Sequence, residues 1–396
     1  MNKRITNWLE NNWVTPAYSG WVLLGITLCF LGAATNTMAG WLYVISGITI
    51  ALLSVSSILP QRALQGLSVS RQMPRPVSAG ESLSMVMTLE NETLQAKSLL
   101  QLQDLIPAEL GGYQTHAIAL LEGQTKNSIE EQPETRSQHT WRYEIPTQKR
   151  GIYTWPQVRL RTAAPLGLFW CSRLHPAKTK AIVYPQILPL ERCPVIDSLG
   201  TEVGRQQLQK AATNATGTEG LTRALRPYRW GDPIRMIHWR TSARYGELRV
   251  RELEVLTSHQ SLIIAIDTSK VWELQSFEQA VIAAASLYHY GQQQGLATQL
   301  WSAQTGLVQE TTAVLTVLAG IQFDDGGDHK LPAPPLIWLT AQANRPLPPH
   351  SAEILFLPKT AAHSGAPSSS KTGGLVINPV DDLQRQLQGA ASAALS

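Results

Sequence analysis

"RALRPYRWGDPIRMIHWRTSARYGELRVR", residues 223–251, divides the chain: before it the sequence alternates like β-strands, and after it strand and helix patterns take turns. Its eight arginines (Arg223, Arg226, Arg229, Arg235, Arg240, Arg244, Arg249 and Arg251) are offset only by Asp232 and Glu247. The whole chain is nearly balanced, with 33 Lys+Arg against 29 Asp+Glu, so the basicity is local and the overall charge calls for no polyanionic partner. Gly231, Asp232 and Pro233 suit a tight turn, because Gly tolerates positive φ, Asp caps following amides and Pro fixes its own φ. Trp230 and Trp239 offer faces on which guanidinium groups stack. An arginine in this setting is either a strut, held by a carboxylate such as Asp232, Glu252 or Glu254, or part of a recognition surface. Arg226 and Arg240, flanking the turn, are expected as struts. Arg229, Trp230, Gly231, Asp232, Arg235, Trp239 and Arg244 are expected as the partner-binding set.

Toward the N-terminus, residues 11–61 contain no Asp, Glu, Lys or Arg. Two apolar runs, 17–35 and 40–59, each approach the roughly 20 residues that a helix needs to cross a bilayer. The short "NTMAG" between them permits only an antiparallel hairpin, and Trp13, Tyr18, Trp21, Trp41 and Tyr43 suit the membrane interfaces. Lys3 and Arg4 precede the hairpin while Arg62, Arg71 and Arg75 follow it. This places both flanks and the bulk of the chain in the cytoplasm, as a multi-pass plasma-membrane protein. A signal peptide would need its basic residues directly before the apolar core, whereas "ITNWLENNWVTPAYSG" intervenes here. A buried hairpin in a soluble protein would keep a polar face.

Beyond the hairpin, Leu83, Met85, Met87 and Leu89 alternate with more polar neighbours in "ESLSMVMTLEN", as do Trp141, Tyr143 and Ile145 in "TWRYEIP". "GIYTWPQVRLRT" and "AIVYP" extend the series, so an antiparallel β-sandwich is expected, with "EGQTKNSIEEQPETRSQ" as a loop. From Ser261 the pattern alternates strand and helix: "LIIAID", a helix ending at Gly295, "LATQLWSA", the helix "TAVLTVLAGI", then "PLIWLT", "AEILFLP" and "GGLVINP". That is the signature of a doubly wound, mainly parallel sheet, in which ligands sit at the carboxyl ends of the strands, here at Asp267. "HSGAPSSSKTGG" reads as a polar loop. The expected organisation is a membrane anchor over 1–62, a β-sandwich over 63–192, a linker with the Arg-rich segment over 193–256, and an α/β domain over 257–396.

Three stretches carry a family resemblance: "YEIPTQKRGIYTWPQVRLRTAAPLGLFW", "LRPYRWGDPIRMIHWRTSARYGELRVRELE" and "LIIAIDTS". The sequence resembles family 58 of the domains of unknown function, membrane-anchored bacterial proteins often encoded beside MoxR-type AAA+ ATPases. The resemblance implies a von Willebrand factor A-like fold for the α/β domain and a MoxR-type ATPase as partner, but no reaction. One departure is visible: the family pattern commonly has Asp where this chain has His238.

Asp232, His238 and Ser242 are residue types used in nucleophilic catalysis, and a hydrolase using His238 and Asp232 is the competing expectation. They lie within one strand-and-turn segment that lacks a nucleophile elbow. A Mg²⁺ site of the von Willebrand A type needs several oxygen ligands; Asp267 and Ser269 remain, but Val271 and Ala341 stand at two other ligand positions, so the site is degenerate and neither metal nor cofactor is expected. Three widely spaced cysteines (Cys29, Cys171 and Cys193) indicate neither a disulfide framework nor a zinc site. No nucleic-acid motif is present. The expected function is a non-enzymatic, membrane-anchored assembly adaptor that binds other proteins.

Overall fold

Residues without charge and without a polar face fold here into two long helices. The computed structural model describes residues 13–124, 137–199, 222–232, 234–253, 261–269, 271–323, 331–332, 335–342, 347–349, 351–359 and 374–389. Lys3 and Arg4, Pro233, Glu254, most of the expected 122–138 loop and nearly all of "HSGAPSSSKTGG" lie outside these residues. The chain forms two compact units, Met1–Tyr184 and Pro185–Ser396.

In the first unit, α1 (Tyr18–Thr37) and α2 (Gly40–Ala63) are both long and apolar enough to cross a membrane. Small residues are prominent among the buried ones: Gly20, Thr27 and Ala34 of α1, and Ser46 and Ser56 of α2 beside Leu42, Leu53 and Pro60. They let two backbones approach closely without a hydrophobic driving force. Thr27 Oγ1 meets Thr49 Oγ1 across the pair at 3.2 Å. The hydroxyls of Ser46 and Ser56 donate to the carbonyls of Leu42 and Leu52, so neither is left unpaired in an apolar setting. Trp21, Leu28, Trp41, Val44, Ile48 and Ile58 remain exposed.

The hairpin base is fastened to a sandwich. β1 (Thr15–Pro16) pairs with β9 (Phe169–Tyr184), Ala17 N–H donates to Leu168 O at 2.8 Å, and Ser19 Oγ donates to Gly167 O at 2.8 Å. A Cβ at Gly20 would lie 2.3 Å from Leu168 O, so only glycine allows α1 to start against this turn. The Pro-Leu-Gly-Leu-Phe stretch of the sequence thus receives the first helix.

One sheet runs β1-β9-β8-β5-β6, with β3 (Val77–Ser78) beside β9; its other members are β5 (Lys97–Asp104), β6 (Gln114–Leu121) and β8 (Gly151–Thr162). The other is β2-β4-β7, from β2 (Leu67–Arg71), β4 (Ser82–Asn91) and β7 (Gln138–Pro146). All pairings are antiparallel except β3 with β9. The alternation in β4 does what its period dictates: Leu83, Met85, Met87 and Leu89 are fully buried and face the other sheet.

Arg71 is no juxtamembrane charge. Its side chain is 0% exposed, and its Nη2 lies 2.5 Å from Asp104 Oδ1 between the sheets. Trp155 Nε1 donates to the same oxygen at 3.0 Å, and the Tyr143 hydroxyl donates to Oδ2. Burial raises the Asp104 carboxyl above its ordinary range and lowers the Arg71 guanidinium.

In the second unit, β10 (Thr222–Pro227) pairs with β11 (Arg249–Leu253), and between them lies α3 (Trp239–Tyr245). The six-stranded sheet follows, in the order β14-β13-β12-β15-β16-β17. β12 (Ser261–Ile266), β13 (Ala297–Ser302), β15 (Leu336–Thr340), β16 (Ala352–Phe356) and β17 (Leu375–Ile377) are parallel, and β14 (Gly306–Val308) is an antiparallel edge. α4 (Leu274–Gln293), α5 (Thr311–Gly320) and α6 (Leu383–Gly389) all contribute to one core with Leu262, Ile264, Ile337 and Ile354. A doubly wound sheet should carry helices on both faces; among the described residues these three helices share one face. The other face buries Ile263, Ala265, Trp301, Leu336 and Trp338. Residues 187–199 pack into the helical-face core through Leu190, Cys193 and Ile196.

Candidate functional site

The Arg-rich segment is a hairpin with a helical insertion. Tyr228 N–H donates to Leu248 O at 2.8 Å and His238 N–H to Arg249 O at 2.8 Å, which closes the loop between β10 and β11. Ile237 and Val250 form its small buried centre.

At the turn, Gly231 has φ 104°, a conformation that costs an L side chain dearly. Asp232 is held from two directions. Arg226 Nη1 and Nη2 grip Oδ2 and Oδ1 at 2.7 and 2.6 Å, and the Arg229 N–H donates to Oδ2 at 2.8 Å. The Arg226 hydrogen bonds, followed by that from the Arg229 backbone, hold the Asp232 carboxyl below its ordinary range. Arg226 is therefore the strut that its position predicts.

Arg240 is not a strut. It lies exposed on α3, because the helix turns its inner face toward β11 through Ser242 instead. Ser242 is buried; its Oγ donates to His238 O at 3.1 Å and accepts from Arg249 N at 2.9 Å. A contact that sequence reasoning missed is that of Arg249, whose guanidinium sits 4.4 Å from the centre of the Tyr245 ring. Four residues apart across a helix end, this pair leaves no period to find.

His238 is the N-cap of α3. Its Nδ1 accepts from Thr241 N at 3.2 Å and lies 2.7 Å from Thr241 Oγ1. An Asp side chain can perform the same capping. Of the three residue types suited to nucleophilic catalysis, Asp232 is engaged by Arg226, His238 by Thr241 of its own helix and Ser242 by the hairpin.

What faces solvent is aromatic and basic. Trp230 is 100% exposed and Trp239 62%, with Ile234, Tyr245 and Leu248 also exposed. Arg229 and Arg244 are exposed as well. The Arg235 side chain lies outside the described residues.

At the carboxyl end of β12, Asp267 Oδ2 accepts from Ser269 Oγ at 3.1 Å and from Thr340 Oγ1 at 3.0 Å, and Oδ1 accepts from Ser269 N at 3.0 Å. Both hydroxyls thus donate to the Asp267 carboxylate, and among the described residues no three His, Cys, Asp or Glu side chains stand together as a metal cluster would require. Val271 is exposed and carries no donor.

Residues 224–316 match the model of a family described as Protein of unknown function DUF58. That match contains the whole of α3, Asp232, His238 and Asp267. The uncharacterized protein YeaD of Bacillus subtilis (strain 168) is 22% identical over 291 residues, covering 71% of this chain and 67% of that protein. Among solved structures, the CARDB domain of PF1109 from Pyrococcus furiosus is similar at 8% identity and a TM-score of 0.21, over 30% of this chain and 95% of that one. A beta-glucosidase from Listeria innocua is similar at 13% identity and a TM-score of 0.16, over 30% of this chain and 16% of that one. At such scores neither likeness bears on fold or function.

Proposed function

We propose that the protein is a non-enzymatic adaptor, tethered to the plasma membrane by α1 and α2, that binds other proteins through the exposed side of its Arg-rich hairpin. What supports this reading is the division of labour inside the hairpin. Asp232, His238 and Ser242 are each engaged in holding the local fold, while Trp230, Trp239, Arg229 and Arg244 are left to solvent. Tryptophan and arginine are the residues that most often dominate a binding interface.

The family resemblance suggests a MoxR-type AAA+ ATPase as partner and envelope proteins as clients, and a von Willebrand A-like character for the α/β unit. The charge-free hairpin with basic flanks supports a multi-pass anchor with both units in the cytoplasm. Purified full-length protein should turn over no generic ester, phosphodiester or nucleotide. Turnover that disappears in His238→Ala would overturn the adaptor in favour of a hydrolase.

A further inference from the structure

α3 has an outer strip that its own fold does not use. Ser242 is buried and Thr241 meets His238. Trp239, Arg240, Ala243 and Arg244 are exposed, and helical spacing sets Trp239 beside Ala243 and Arg240 beside Arg244, each pair one turn apart.

Two like charges at this spacing repel and weaken a short helix. Arg244, in the last turn, is favoured by the helix dipole; Arg240, a turn nearer the N-terminus, has no such support. Among the described residues no carboxylate pairs with either guanidinium. Asp232, one of the two carboxylates in this stretch, is already taken by Arg226. A pair of cations kept against the helix's own interest is matched by a ligand with two negative groups.

The residue types narrow that ligand further. Residues 223–251 hold eight arginines and no lysine. A bilayer surface attracts lysine as well as arginine, whereas the planar fork of arginine matches a carboxylate through two parallel hydrogen bonds. The tip between Trp230 and Ile234 carries the Arg226–Asp232 ion pair, which hydrocarbon would strand. Beside the guanidinium groups, Ala243 lies one helical turn from the exposed Trp239 and adds apolar surface.

We infer that Trp239, Arg240, Ala243 and Arg244 form the docking strip for an acidic segment of a partner protein: two carboxylates take Arg240 and Arg244, and an apolar side chain lies over Ala243 against Trp239. This rests on the adaptor reading and names the chemistry of its partner.

The test uses full-length protein in phosphatidylcholine nanodiscs and a fluorescent peptide of repeated Glu-Glu-Leu-Glu-Glu units, with a Gln-for-Glu peptide as control. The Glu peptide should bind, slow hydrogen exchange across residues 239–245, and lose roughly tenfold or more in affinity with Arg240→Ala or Arg244→Ala. Arg240→Lys and Arg244→Lys should not restore it, and melting temperatures should match the wild type because both side chains are exposed. The strip is overturned if the Glu peptide fails to bind or the Lys variants bind as well as wild type. It is equally overturned if phosphatidylglycerol nanodiscs protect 239–245 and the peptide does not. The adaptor reading is judged separately, by co-purification. A partner retained by the Ala variants overturns the strip alone, whereas no partner with wild type overturns the adaptor.

Discussion

Arg226 holds Asp232 with both arms of its guanidinium, Nη1 to Oδ2 at 2.7 Å and Nη2 to Oδ1 at 2.6 Å. The pair spans the Gly231 turn and fixes where Trp230 leaves the hairpin. A surface ion pair contributes little on its own, but here the same carboxylate also accepts the Arg229 amide, so geometry depends on it.

Arg226→Lys, which cannot offer a fork, should speed hydrogen exchange at the Arg229 amide near neutral pH. The Asp232 carboxyl sits below its ordinary range, so its contribution is present above its unfolded pKa and is lost as pH falls through the lowered folded value. In the wild type, protection of the Arg229 amide relative to its intrinsic exchange rate should therefore fall only under acid. Equal exchange in both proteins at every pH would show the pair to be dispensable.

His238 is expected to behave as a cap and not as a base. Replacement by Ala should cost about 1 kcal/mol in a melt, while replacement by Asp, a good N-cap, should be close to neutral. An Asp variant as unstable as the Ala variant would remove the capping role.

Between the sheets, Arg71 and Asp104 are both fully buried. Asp104→Ala strands the guanidinium and should cost about 3–5 kcal/mol. Replacing Arg71 with Met and Asp104 with Asn should recover part of that loss, because no buried charge is then left unpaired and the Asn oxygen still accepts from Trp155 or Tyr143. A double variant as unstable as the single one would point to a role for the pair beyond burial.

Glu353 on β16 is 5% exposed, and among the described residues its Oε1 has no hydrogen-bond partner. Burial raises its carboxyl above the ordinary 4.5, so the folded state binds the proton more tightly than the unfolded one. Stability is then complete below the ordinary value and declines as pH rises through the raised one. Glu353→Gln should melt higher than wild type at about pH 7, with the difference shrinking toward about pH 4. A gap that stays constant with pH would contradict this.

The elements legible in the sequence are those with a period. Leu83 to Leu89 alternate and become a buried strand face; the apolar run at Leu262–Ile266 becomes a central parallel strand; the charge-free runs become α1 and α2. α3 escapes because a seven-residue helix shows scarcely two turns of pattern, and its cap is a histidine, a residue that rarely announces a helix start. Arg71 and Asp104, one on each sheet, meet only through the fold, so a flank charge and a buried charge look the same in one dimension. Within the candidate site, the Arg226 strut could be read from its distance to Asp232 along the chain. Whether Arg240 points in or out could not, since that depends on which side of α3 meets β11.

If the exposed aromatic and basic face of the hairpin recruits a protein partner, full-length protein isolated from membranes after brief crosslinking should carry one partner in near-equal amount, expected to be a MoxR-type AAA+ ATPase. A Trp230→Ala, Trp239→Ala variant should lose it while keeping its melting temperature. Identical companions for both proteins, or none for either, would contradict recruitment through this face.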